Sequence, residues 1–279
     1  MNKFLNKYGE WALVTGASKG IGLEYSRQIA AKGLNVVLVA RSEDRLRNLA
    51  TAIEKDYSVK TRIVAADLTD PAGMTRLIEA TADIDIGLLV NNAGREDSGP
   101  FLQIPVDDAI KTIDLNIKVP VQLTRHYAPK MDARKMGGIV FMSSIVAFQG
   151  IPNIANYAAT KAWDLVFAEG IAAELSQSNI DVISVNPGFT KSELSPDISF
   201  DGLPFKPMAA SEVVKTALDD LGSAQLSVPG LVNKFLYYTG KYLQPRWVNT
   251  AAFGSVFRKV LRKKLGGQSD SANPQASSH

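Results

Sequence analysis

Short apolar runs with almost no polar alternation recur along the chain, separated by longer amphipathic stretches. The runs are Ala12–Val14, Val36–Ala40, Arg62–Ala66, Ile86–Val90, Ile139–Met142 and Val182–Val185, most of them rich in β-branched residues. A strand that is apolar at nearly every position must be covered on both faces. These segments therefore read as buried strands of a parallel sheet. The stretches near Ile21–Lys32, Glu43–Lys55, Ala72–Thr81, Val106–Arg134 and Ile154–Ser178 carry helical periodicity. Repeated strand–helix–strand units require right-handed crossovers and an open α/β sheet. In such a sheet ligands sit beyond the carboxyl ends of the strands, so chemistry-bearing residues should follow strands.

Composition narrows the chemistry by exclusion. The chain has no cysteine, and its histidines are His126 and His279, the last residue. Disulfides and thiolate metal sites are ruled out, and a Ser-His-Asp triad would have to use His126. The start, MNKFLNKYGEW, has no apolar core of a secretory signal. No apolar run approaches the roughly 20 residues of a membrane helix. A cytoplasmic protein is expected, its 279 residues forming one large α/β domain.

The first strand runs into Thr15-Gly16-Ala17-Ser18-Lys19-Gly20-Ile21-Gly22, and a helix follows. One glycine makes the tight turn, one lets the backbone approach a pyrophosphate, and one lets helix and strand pack closely. The helix N-terminus then offers N–H groups to an anion. Gly16, Ser18, Lys19, Gly20, Ile21 and Gly22 are the cofactor-contact candidates of this loop. The second strand ends in Ala40-Arg41, where an NAD enzyme usually carries an acid for the ribose hydroxyl. Arg41 can fork onto a 2′-phosphate, and Lys19 adds a second cation. NADP(H) is expected over NAD(H).

After the fifth strand stands Ser143-Ser144, and thirteen positions past Ser144 stands Tyr157, with Lys161 four further on. Residues four apart on a helix share a face. A Tyr hydroxyl has a pKa near 10, and bringing it near 7 takes roughly 4 kcal/mol of preference for phenolate. A neighbouring ammonium supplies part of that. Ser144 is placed to hydrogen-bond a substrate oxygen. The spacing alone is weak evidence, because Tyr237 and Lys241 repeat it. That copy has Ala224 where the serine should be and follows no central strand, so it reads as a decoy on a surface helix.

With these motifs in place the sequence resembles the short-chain dehydrogenase/reductase family, from roughly Trp11 to Thr190. The shared motifs are TGASKGIG at Thr15–Gly22, Asp67 after the third strand, NNAG at Asn91–Gly94, Asn116 in DLNIK, Ser144, YAATK at Tyr157–Lys161 and NPG at Asn186–Gly188. The resemblance implies a Rossmann-type doubly wound parallel sheet of about seven strands, order 3-2-1-4-5-6-7, with helices on both faces. It implies a catalytic tetrad of Asn116, Ser144, Tyr157 and Lys161. Tyr157 would exchange the proton, Ser144 orient the carbonyl, and Lys161 lower the Tyr157 pKa and hold the nicotinamide ribose. Asn116 would hold a helix kink and a water. Asp67 and Leu68 would flank the adenine, Asn92, Ala93 and Gly94 line the cofactor, and Pro187-Gly188 border the nicotinamide. Asn91 would brace the sheet. The family's threonine for the carboxamide is replaced by Ser192, with Thr190 nearby.

The segment from Lys7 to Leu46 also looks like 3-oxoacyl reductases of fatty-acyl elongation and hydroxysteroid dehydrogenases within the family. Their N-terminal membrane anchor is not seen here. The expected activity is hydride transfer between NADP(H) and a lipophilic ketone or secondary alcohol. The alternative is a non-catalytic NADP(H)-binding regulator or scaffold. Phe189–Ala210, apolar and aromatic, is expected as a substrate lid, with Arg95, Glu96, Phe148 and Gln149 facing the pocket.

Residues 1–230 are expected to form the dinucleotide-binding catalytic domain, 231–265 a helical extension, and 266–279 a disordered tail. Between Leu221 and Leu265 the chain carries eight basic residues and no acidic one, interleaved with aromatics such as Phe235, Tyr238, Trp247 and Phe257. This segment reads as a flap over the cleft, an oligomer face, or a peripheral contact with an anionic membrane. A dimer or tetramer is expected. No recognition motif accompanies the charge, so nucleic acid is not an expected partner.

Overall fold

A computed structural model describes residues 3–191 and 206–261. Nine strands and ten α-helices alternate through these residues. The main sheet contains β1 (Trp11–Thr15), β2 (Asn35–Ala40), β3 (Thr61–Ala65), β4 (Ile86–Asn91), β5 (Gly137–Met142), β6 (Ile180–Val185) and β9 (Leu226–Ser227). Its order is β3-β2-β1-β4-β5-β6-β9, and every pairing is parallel. This is the expected Rossmann topology, with LSVPG supplying the seventh strand as β9. Two short strands, β7 (Thr190–Lys191) and β8 (Met208–Ala209), pair separately at the carboxyl edge.

The order reverses between β1 and β4, which opens a crevice at the carboxyl ends of those strands. Strand residues alternate between two apolar layers. Val36 and Leu38 join α2 (Gly20–Ala31), α3 (Glu43–Tyr57) and α8 (Ala210–Asp220) in one layer, through Tyr25, Ile29, Leu46, Ile53, Val213 and Ala217. Val37 and Val39 join α4 (Pro71–Ala80), α6 (Val119–Arg134) and α7 (Ala155–Leu175) in the other, through Leu77, Leu123, Tyr127 and Ala172. Burying each large aliphatic side chain contributes about 1.5–3 kcal/mol. This two-sided burial is the reason the strands lack polar alternation.

The expected helix Val106–Arg134 is interrupted. α5 (Val106–Ile113) passes through a π-helical turn, Asp114–Lys118, into α6. Pro120 explains the location: in a regular α-helix its ring would press on the carbonyl of Asn116, four residues back. A wider turn relieves that clash. The sequence reading also missed α1 (Lys3–Tyr8), which is too short to show periodicity. Tyr8 anchors it under the sheet by donating to Asp181 at 2.7 Å. Beyond β9, α9 (Leu231–Tyr242) and α10 (Arg246–Val260) form the expected helical extension. Ser192, most of the expected lid, Arg262, Lys263, Lys264 and the expected tail lie outside the described residues.

Candidate active site

The glycine loop is held open by its own turns and by a threonine. Gly16 and Gly20 adopt positive φ of 68° and 56°. The Thr15 hydroxyl donates to Val90 O and accepts from the amides of Asn92 and Ala93, at 3.2, 3.0 and 2.9 Å. Asn92 Nδ2 donates to Thr15 O at 2.8 Å. The NNAG turn is thereby riveted to the loop. Asn92, expected to line the cofactor, works here as a brace; Asn91 also braces, reaching Thr124 Oγ1 at 3.4 Å. A Cβ on Gly22 would stand 2.2 Å from Gly16 O. Ile21 is buried in the core, while Ser18 and Lys19 stay half-exposed. Lys19 caps α2 in an extended conformation without a side-chain cap. Thr15 was legible only as the first letter of the motif, since its two accepted bonds come from a turn 77 and 78 positions away.

At the adenine end Arg41 is exposed at the close of β2. The Asp67 carboxyl lies below the usual range, first through the Thr69 hydroxyl and also through the nearby Arg41 charge. Arg41 therefore has a carboxylate neighbour, contributed by the end of β3, that the second strand does not reveal. Leu68 turns its side chain into the second apolar layer.

The catalytic candidates converge beyond β4 and β5. Ser144 follows β5 and caps a 3-10 turn, with Oγ accepting from Val146 N at 3.3 Å and 3.5 Å from Pro187 O. Tyr157 and Lys161 stand one turn apart on α7, with Lys161 Nζ 5.8 Å from the Tyr157 ring centre. Asn116, in the π turn, accepts from Arg95 N and donates to Arg95 O, both at 2.9 Å, and donates to Thr160 Oγ1 at 2.9 Å. The π turn is thus tied to both the NNAG loop and α7. Gly94 completes the groove: a Cβ there would lie 3.4 Å from Asn116 Oδ1 and 3.7 Å from Lys161 Nζ. A dinucleotide fits these residues, with glycines where its phosphates must approach and no side chain at Gly94 beside the lysine. His126 lies on α6 against the Tyr127 ring, away from this cluster.

The expected lowering of the Tyr157 pKa by Lys161 is not what the protein matrix provides. The Tyr157 hydroxyl is pushed well up, by burial first and then by the Glu96 and Asp164 carboxylates. Lys161 Nζ instead donates to Met142 O at 2.6 Å and to Asp164 Oδ2 at 2.9 Å. Burial pushes the Asp164 carboxyl up to about 6, with Lys161 opposing. Ser143, the first serine of the pair, donates to Lys161 O at 2.7 Å and pins that turn. The sequence reading missed Asp164; its signal was a lone charge in the apolar run AWDLVF, three residues past the lysine.

The C-terminal extension folds over this cleft. Phe253 and Phe257 pack with Tyr157 and Phe189, and the Phe189 and Phe257 rings are 5.4 Å apart. Asn233 of α9 abuts Gly188, where a Cβ would meet its Oδ1 at 2.2 Å. Thr190 Oγ1 donates to Gly188 O at 3.1 Å. Tyr237 is buried, 4.4 Å from the Phe148 ring, and accepts from Lys241 at 2.8 Å. The second Tyr–Lys pair is therefore a packing element of the extension rather than an exposed decoy. Phe148 and Gln149 line a small cleft with Tyr237 and Lys241, whereas Arg95 and Glu96 line a separate polar one with Asp97 and Asp108.

A crevice at the strand-order switch, with Ser144, Tyr157 and Lys161 gathered beside it, is the arrangement of a Rossmann-type dehydrogenase fold. The chain belongs to the short chain dehydrogenase family, whose sequence pattern matches residues 10–201. It is 34% identical over 226 residues to a very-long-chain 3-oxoacyl-CoA reductase of Laccaria bicolor, covering 80% of this chain and 66% of that protein's length. It is 30% identical over 233 residues to a 7beta-hydroxysteroid dehydrogenase of Clostridium sardiniense, covering 83% and 89%. Among solved structures, a short-chain dehydrogenase from Sphingobium yanoikuyae in complex with NADPH superposes with a TM-score of 0.75 at 32% identity, covering 97% and 99%.

Proposed function

We propose that the protein is an NADP(H)-dependent reductase of a lipophilic ketone, with Tyr157 as the proton donor. The observation that carries this reading is the convergence of Tyr157, Lys161 and Gly94 on one groove. A nicotinamide bound there supplies the hydride. The protein's part is to orient and protonate. Ser144 Oγ, at the end of β5, is the donor for the substrate oxygen. The Tyr157 hydroxyl carries the proton that would pass to the substrate oxygen, and its upward shift by burial is what Lys161 has to offset. Lys161 holds the ribose side of the groove, and Asn116 fixes the turn that shapes it.

Arg41 and Lys19 support a preference for the 2′-phosphate. A relative named for an NADPH complex agrees with it. The apolar wall of Phe189, Phe253 and Phe257 supports a lipophilic substrate, as do relatives named for acyl-CoA and steroid substrates. The inner face of α9 and α10 acts as a flap. Their outer face leaves Leu231, Phe235, Leu243 and Trp247 exposed among lysines and arginines, which supports contact with a second subunit or an anionic membrane surface. No helix among the described residues is long and apolar enough to cross a membrane.

The test is a panel of bulky ketones, followed by loss of nicotinamide absorbance with NADPH and with NADH. Turnover with NADPH on at least one aromatic, steroid or 3-oxoacyl ketone is expected. No turnover on any of them would overturn the assignment.

A further inference from the structure

We propose that Asp164 is a positioning residue, holding the Lys161 ammonium at the Met142 carbonyl and governing how much of its charge reaches the Tyr157 ring. It deepens the catalytic reading above by assigning a residue outside the tetrad.

Surface pairs three apart on a helix are common and weak. This one is different because both partners are buried, with side-chain exposures of 7% for Lys161 and 4% for Asp164. A buried ammonium needs its charge and donors matched. Here two of its contacts are fixed: Met142 O at 2.6 Å and Asp164 Oδ2 at 2.9 Å. Met142 is the last residue of β5, so the pair ties the lysine to the strand end that also carries Ser144. Ser143 pins the same turn from its backbone side.

The charged groups that act on the neighbourhood come from two elements. Lys161 and Asp164 belong to α7, and the Glu96 carboxylate acts on Tyr157 from the loop after β4. β5 contributes the Met142 carbonyl, the residue after it the Ser143 hydroxyl, and the π turn the neutral Asn116. Asp164 is thus the one acid in contact with the lysine among the described residues. An ionised Asp164 offsets the ammonium and opposes phenolate formation; a neutral side chain in its place leaves the ammonium free to favour it.

The experiment is an alkaline titration of the purified full chain at the phenolate absorption band. Wild type minus Tyr157→Phe isolates the Tyr157 signal. Asp164→Asn minus Asp164→Asn/Tyr157→Phe isolates it without the carboxylate. The Tyr157 phenolate is expected to appear about one pH unit lower or more in Asp164→Asn. Asp164→Leu, neutral and apolar, should do the same and stands in if the Asn variant does not fold. Asp164→Glu, which keeps the charge, should restore the wild-type titration. The same midpoint in wild type and both neutral variants would overturn the proposal, as would no phenolate from either neutral variant below the pH of unfolding. The readout needs no substrate. A failed ketone panel therefore counts against the reductase reading and leaves this result standing.

Discussion

Lys161 Nζ stands 5.8 Å from the centre of the Tyr157 ring, one helical turn along α7. That placement puts a cation beside the phenol of the groove. Removing its hydroxyl should cost activity without cost to cofactor binding. Tyr157→Phe is expected to lose more than about 100-fold in kcat, the usual weight of a general acid. NADPH affinity by fluorescence titration should stay within about threefold, because the ring and its packing against the buried cluster of Val146, Ile154 and Phe257 remain. Retained turnover in this variant would exclude Tyr157 as the acid.

Arg41 is exposed at the end of β2 with Asp67 as its charged neighbour. A guanidinium on a 2′-phosphate is worth about 1.5–3 kcal/mol, or roughly ten- to a hundredfold in Kd. Arg41→Ala should weaken NADPH by that amount and change NADH little. Calorimetric titration with both cofactors checks it, and equal losses for the two would remove Arg41 from phosphate recognition. The NADPH affinity should also fall with added salt more steeply in wild type than in the variant.

Gly22 and Gly94 separate two kinds of glycine. A Cβ on Gly22 meets the Gly16 carbonyl at 2.2 Å, so Gly22→Ala should distort the loop, lower the Tm by several degrees and abolish cofactor binding. A Cβ on Gly94 meets nothing closer than 3.4 Å, so Gly94→Ala should fold with a Tm near that of wild type. Its methyl would occupy the groove beside Lys161 and weaken NADPH tenfold or more. A Gly94→Ala variant with unchanged affinity would place the cofactor elsewhere.

Asp164 also makes a stability prediction. Its carboxyl is pushed up to about 6 from an ordinary 3.8. A group raised in the folded state adds stability below its unfolded value and loses it as pH rises through the folded one. The wild type should therefore lose stability relative to Asp164→Asn as pH rises from about 4 to about 6. Urea melts of both proteins across that window measure the difference. A difference that is flat with pH, or that grows in favour of wild type, would contradict the burial of this carboxyl.

Much of this protein was legible from residue pattern, because patterns of period two and 3.6 and glycine turns are local. Val36 to Ala40 could be read as a doubly covered strand since both faces of its pleat are apolar. The loop from Gly16 to Gly22 could be read as an anion cradle because turn geometry permits little else there. Tyr157 could be preferred over Tyr237 because a serine and a strand end stand at fixed spacing before it. Tertiary structure alone decided which charges meet. The Thr15 hydroxyl bonds a turn far along the chain, and the Arg41 charge reaches a carboxylate from the next strand. Lys161, expected to depress the Tyr157 pKa, gives its charge to a buried Asp164 and the end of β5. Sequence spacing fixes the face of a helix on which a side chain stands. Burial and the partner across the gap determine where its proton and charge go, and those depend on distances the linear chain does not contain.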